Sequence, residues 1–174
     1  MNRIKDIYDP LLPTLLISIH KEYVVQIVAG IKIIEYRKKF YPEAFQAFIY
    51  TTGKGGGIEA FVKFDAPIIN DAQTLSLIGK KIQNDNENEI FAYFEENNSG
   101  YIIPIEKVYQ LERIPLKILR DTFPKFTVPQ KYLFLDRPEK QSLLEFLLNK
   151  SYIKYVKNEW NTYYQQIKDI INGI

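Results

Sequence analysis

Leu15-Leu16-Ile17-Ser18-Ile19-His20, followed after a short gap by Gly30-Ile31-Lys32-Ile33-Ile34-Glu35-Tyr36-Arg37-Lys38-Lys39-Phe40, is the stretch on which the reading of this chain turns. The first run is apolar, partly β-branched and preceded by Pro13, which predicts a buried strand. Between the two runs, Tyr23, Val24, Ile27 and Val28 recur at helical spacing, so His20 to Ala29 reads as a helix. Gly30 falls where a left-handed C-terminal cap is wanted and ends it. From Ile31 to Phe40 the chain becomes extended: Ile33, Glu35 and Arg37 then share one face, and Ile34, Tyr36 and Lys38 the other.

Working outward, Phe45 to Thr51 and Ile58 to Phe64 read as a third and a fourth strand joined by the polar loop Thr51-Thr52-Gly53-Lys54-Gly55-Gly56-Gly57. Leu75 to Ile82 and Ile90 to Glu96 are predicted as short helices around Gln83 to Glu89, a stretch hydrophilic enough to be an exposed loop. Tyr101 to Leu111 supplies a fifth strand, with Pro104 indicating an edge or a bulge. Pro115 to Phe123 reads as a short helix and Phe126 to Leu135 as an extended strap. Asp136 as N-cap and Pro138 in the first turn open a helix through Leu148. The steps of three and four linking Ile153, Val156, Trp160, Tyr163, Ile167 and Ile170 predict a final amphipathic helix. Strands around few helices give an α+β class.

With 174 residues, 46% of them hydrophobic and 25% charged, the chain suits one globular domain with an appendage. A single histidine, His20, and no cysteine exclude disulfides, thiolate metal sites and His-based metal centres. No metal and no cofactor is expected. The missing staples suit a reducing compartment, and the start, Met1 to Asp9, is too charged for a secretory signal, so the cytoplasm is the expected location. A net charge of +2 means that any surface for a polyanion must be a local patch.

The Leu16-Ile17-Ser18-Ile19 strand, the helix after it and the Gly30-x-Lys32-x-x-Glu35-x-Arg37 spacing resemble the ASCH family of the PUA-like superfamily. The order of the later elements agrees: a strand ending in Tyr50-Thr51-Thr52, a long strand after it, a helical insert, and a strap at Pro129-Gln130-Lys131-Tyr132 closing on Leu133-Phe134. The resemblance covers about residues 12 to 137. It implies a small β-barrel of about five to six strands with flanking helices, occupying 1–137, and leaves 138–174 as a C-terminal helical extension. That extension either packs on the barrel or forms a homodimer seam. The resemblance also implies an RNA-binding or RNA-modifying role.

Lys32, Glu35, Arg37, Lys38 and Lys39 put four cations and one carboxylate into eight positions. With Ser18, His20, Thr51 and Thr52 nearby in a closing barrel, they predict a cleft that reads phosphate and base. Arg37 offers a planar fork, lysines give point charges, and Tyr36 or Tyr50 is available to stack on an unpaired base. The plainer alternative is a Glu35–Arg37 pair on a strand face with Lys38-Lys39 as a solvated end. Lys54 in the glycine loop either touches phosphate or is a solvated hairpin tip. That loop is no P-loop, because Phe48 stands where the leading glycine belongs.

Binding of RNA, single-stranded or structured, is therefore the expected function. A small hydrolase acting on RNA or a modified nucleoside, with Lys32, Glu35 and Thr51 as catalytic candidates, is the alternative, and a protein-interaction adaptor using the C-terminal helices a second. One family branch resembles amidohydrolases with a Lys and a Thr nucleophile in this motif, but the Thr position here is Glu35. A carboxylate cannot replace an activated alcohol, and its charge is expected to keep Lys32 protonated.

Overall fold

Leu15 and Leu16 are fully buried and Ile17 almost so, because the strand that carries them, β1 (Thr14–His20), has neighbours on both edges and cores on both faces. It runs parallel to β3 (Phe45–Thr52) and antiparallel to the short β7 (Tyr132–Phe134). A strand covered on both faces has no solvent side to alternate with, which explains the continuous apolar run. Each such side chain contributes about 1.5–3 kcal/mol on burial.

The computed structural model describes residues 2–174. After β1 come α1 (Lys21–Val28), β2 (Ile34–Arg37) and β3, then β4 (Gly57–Phe64), β5 (Ile68–Asn70), α2 (Ala72–Gln83) and α3 (Glu87–Phe94). The long β6 (Gly100–Pro115), α4 (Leu116–Thr122), β7, α5 (Gln141–Leu148), β8 (Tyr152–Lys157) and α6 (Trp160–Ile171) complete the chain. The strands form one mixed, curled sheet in the order β2-β6-β4-β3-β1-β7, a half-barrel, with β5 and β8 also paired to β6.

Three cores position the elements. Leu15, Ile17, Ile49 and Val62 meet Val24 and Ile27 of α1 on one face. Leu16, Phe48, Phe61 and Tyr109 meet Leu143 and Leu147 of α5 on the other. The third joins Ile33, Ile34 and Ile102 to α2, α3 and α6 through Leu75, Ile78, Ile90, Phe94, Trp160 and Ile167. The helical insert is thus held against the strand that carries the charged motif.

Several expectations change. Tyr152–Lys157, expected to begin the last helix, is a strand antiparallel to β6. Its three- and four-residue apolar spacing is real only from Trp160 onward, and pairing with a distant strand decides the rest. The stripe on α6 is spent inside the molecule: Trp160 and Ile167 are buried, and the Trp160 indole N–H donates to the Ile105 carbonyl at 2.9 Å. Asp136 does not cap α5. Its carboxylate accepts the Thr14 backbone N–H at 3.2 Å, and a 3₁₀ turn, Pro138–Lys140, precedes the helix. Pro104 is not on an edge strand: β6 is interior, and the irregularity lies beside the proline, between the Lys63 and Phe64 pairings. The α2 helix starts earlier than expected because the Asp71 carboxylate takes the Thr74 N–H at 2.8 Å.

Candidate functional site: a charged and aromatic cleft

Helix α1 ends as the sequence requires. Gly30 has φ 75°, in the left-handed region, and the N–H groups of Ile31 and Lys32 both donate to the Gln26 carbonyl, at 2.9 and 3.1 Å. This tight exit turns the chain so that Lys32 starts a segment running beside the end of β1. A cleft of about 670 Å³ lies there.

Its floor is an ion cluster. Glu35 stands between two cations, with Lys32 Nζ 3.8 Å from Oε1 and Arg37 Nη2 3.1 Å from Oε2. The side chains of Lys32, Glu35 and Arg37 are 7%, 9% and 20% exposed, so the triad is largely withdrawn from water. The same Arg37 nitrogen donates to the Ser18 carbonyl at 3.2 Å, tying β2 to β1. Ser18 Oγ in turn donates to the Pro129 carbonyl at 2.5 Å, which fastens the strap.

Lys32 lies between two phenol rings, its Nζ 5.2 Å from the Tyr23 centroid and 5.3 Å from that of Tyr36. Burial pulls its pKa down, Glu35 and Asp85 pull it up, and Arg37 pushes it down again; the net direction is down. Glu35 thus acts in the expected direction, upward, but loss of hydration outweighs the attraction of a carboxylate that Arg37 already engages.

The opposite wall comes from the turn between α2 and α3, expected to be a solvated loop. Gln83 Oε1 accepts the N–H groups of Ile33 at 2.6 Å and Ile34 at 3.0 Å, and Gln83 Nε2 donates to Asp85 at 2.7 Å. Tyr36 donates its hydroxyl to the same Asp85 oxygen at 2.5 Å. Burial and this bond push the Tyr36 pKa well above the usual phenol range. Glu89 and Tyr93 of α3, Gln26 of α1 and Gln130 of the strap also line it.

Of the residues expected at the site, Ser18, His20, Lys32, Glu35, Tyr36, Arg37 and Thr52 line the cleft. Three do not. Thr51 is 3% exposed and donates to Glu59 at 2.8 Å, since the strand pleat sends neighbouring side chains to opposite faces. Its neighbour Thr52 meets His20 Nδ1 at 3.3 Å. Lys38 leaves the floor and stands 5.0 Å from the Tyr93 ring centroid. Lys54 is exposed at the tip of the β3–β4 turn. Nor is Tyr36 free to stack, because its ring is largely buried and its hydroxyl is held by Asp85; Tyr50 is 3% exposed in the second core. Tyr23 and Tyr93, 40% and 41% exposed, are the available rings.

No protein-family model and no curated protein matches the sequence. Solved structures do match. The crystal structure of ASCH from Zymomonas mobilis superposes with a TM-score of 0.67 at 23% identity, covering 80% of this chain and 96% of that one. A serine-to-alanine variant of the same protein gives 0.67 and 23%, covering 82% and 100%. The fold is that of the Zymomonas mobilis ASCH structures, a mixed α+β arrangement. Among the described residues, no helix is long and apolar enough to cross a membrane.

Proposed function

We propose that this protein is an RNA-binding module whose cleft receives one unpaired nucleotide, gripping the base more than the phosphate. The observation that carries this reading is the charge balance of the lining: Lys32 and Arg37 face Glu35, Asp85 and Glu89. A phosphate-first site would leave its cations unpaired, whereas both are engaged by Glu35. A base edge offers donors and acceptors in one plane. It suits a floor of carboxylate, guanidinium and amides, and the exposed rings of Tyr23 and Tyr93 suit its faces. Lys38, at the rim beside Tyr93, is the cation best placed to meet the attached phosphate.

The test is binding of a single-stranded RNA of about 16 nucleotides, followed as Arg37→Ala and Tyr93→Ala are introduced. Each is expected to weaken binding about tenfold, with Tyr93→Ala leaving the salt dependence unchanged. Full affinity in both variants would reject the cleft as the RNA site.

One observation supports a second reading, a hydrolase acting on RNA or a modified nucleoside. Lys32 is buried, its pKa is drawn downward, and a carboxylate and a guanidinium adjoin it. A deprotonated Lys32 amine would accept a proton from an attacking water while Arg37 stabilised the developing oxyanion. Thr51 has no part in this version, given its bond to Glu59. Release of product from RNA or acylated nucleosides by the natural chain, lost in Lys32→Met with binding retained, would favour catalysis. No turnover on either would dismiss it.

A further inference from the structure

A second group of charges lies outside the cleft. Lys63 on β4, Lys107 on β6 and Lys157 on β8 are consecutive register partners, Lys63 opposite Lys107 and Lys107 opposite Lys157. Directly opposed residues project from the same face, and neighbouring strands lie about 4.8 Å apart, so three ammonium groups stand in one row. Like charges placed this way repel. Among the described residues none of the three belongs to an ion pair. Asp9 and Glu106 are the acidic neighbours and attract Lys63, yet burial and Lys107 together leave its pKa lowered.

The next row on the same face is aromatic: Phe61, Tyr109 and Tyr155 are also consecutive partners. Phe61 is fully buried, Tyr109 is 5% exposed and Tyr155 is 46% exposed. The Tyr155 ring stacks on Tyr109 at 4.9 Å with an interplanar angle of 26°. A rigid phenol with an open side therefore flanks the lysine row. Across the sheet the row continues to Gln46 and Thr14, at the start of β1, whereas the cleft uses Ser18 and His20 at its end. Four residue steps along β1 separate Thr14 from Ser18 and six separate it from His20, about 13 to 20 Å at roughly 3.3 Å per step.

We propose that this face is a second binding surface, for the phosphate backbone of a single-stranded nucleic acid, with Lys63, Lys107 and Lys157 meeting phosphates and Tyr155 stacking on an adjacent base. Anionic oxygens remove the mutual repulsion that Asp9 and Glu106 offset only in part in the free protein. Lysines are point charges that accept any phosphate geometry, and a half-exposed ring is of use only to a base free of its pairing partner. An acidic peptide would satisfy the cations but not the ring.

The surface stands independently of the cleft, and the experiment separates them. Lys63→Gln/Lys107→Gln/Lys157→Gln, Tyr155→Ser and Arg37→Ala are each compared with the natural chain for affinity to a single-stranded RNA of about 16 nucleotides across a salt series. The triple variant is expected to lose about tenfold or more in affinity at low salt. Its log–log salt slope should become shallower by about 2, from three phosphate contacts at about 0.7 each. Its melting temperature should stay level or rise, since repulsion is removed. Tyr155→Ser should weaken binding without altering the slope. A folded triple variant with unchanged affinity and slope overturns the proposal, whatever Arg37→Ala does. So does competition by polyglutamate as strong as that by RNA with Tyr155→Ser neutral, which would mark a protein-binding face. Failure of Arg37→Ala alone rejects only the cleft.

Discussion

Gln83 holds Ile33: its side-chain oxygen accepts the Ile33 backbone N–H at 2.6 Å, and takes the neighbouring Ile34 N–H as well. An amide from the end of α2 thus does for β2 what an adjoining strand would do, while its nitrogen fixes Asp85 in the cleft wall. Replacing Gln83 by Met, similar in length but without an acceptor, strands two partly buried donors. The expected cost is about 1–3 kcal/mol of stability, read from urea unfolding. Ligand affinity should fall further than the stability loss alone explains, because Lys32 and Glu35 flank the loosened segment. Retention of both quantities would mean that β2 needs no such support.

Gly79 bears on the same wall. A Cβ there would collide with the Tyr36 hydroxyl and crowd the Ile90 side chain. Gly79→Ala should displace Tyr36 from Asp85, costing about 1–3 kcal/mol as overpacking does, although alanine favours the helix itself. In the background Tyr36→Phe, which lacks the hydroxyl, the same substitution should cost measurably less. That non-additivity, measured as a double-mutant cycle, is the check on the contact.

What was legible in the sequence was local. The Leu15-Leu16-Ile17 run, the Gly30 stop and the shared strand face of Glu35 and Arg37 each state their own conformation, whereas Lys32 reaches Glu35 from the turn before β2, which strand alternation does not foretell. Gln83 and Asp85 were not legible as site residues: a polar loop looks solvated until tertiary structure folds it over a strand. The downward pKa of Lys32 was hidden for the same reason, since burial is set by α1, α2 and the strap together. Thr51 and Thr52 could not be told apart without the register of β3, where one step reverses the face. For β8, the decisive partner is β6, 41 to 50 residues earlier in the chain.

Stability should depend on pH in a way that Lys32 dictates. Its folded pKa lies below the ordinary 10.5, so between those two values the unfolded chain binds more protons and stability rises with pH. Lys63 contributes in the same direction. Tyrosines oppose this at higher pH: Tyr109, pushed up to about 12 by burial and by Tyr155, and Tyr36 stay neutral when folded but ionise near 10.0 when unfolded. Stability contributed by those phenols is then lost as pH rises above 10.0. Chemical unfolding followed through the alkaline range below 10.0, where the phenols are still neutral, should therefore show a rise that is reduced in Lys32→Met. A variant with the same slope as the natural chain would place the effect elsewhere.

The C-terminal segment is expected to be indispensable to folding, because its contribution is to the sheet and the third core at once. Strand β8 pairs with β6 through Lys157 to Tyr152, and Asn158 and Trp160 both donate to the Ile105 carbonyl, at 2.8 and 2.9 Å. Trp160→Ala removes a 3% exposed indole packed beside Tyr163 and Tyr164, and should cost about 3–5 kcal/mol. Trp160→Phe should cost less, because the ring still fills the space and Asn158 still bonds the carbonyl. Deleting 138–174 should cost more than either, since it strips α5 from one face of the sheet and β8 from β6. Circular dichroism melts of the three forms test the order. A truncated chain that melts cooperatively near the temperature of the full one would mean that residues 2–137 fold without the extension.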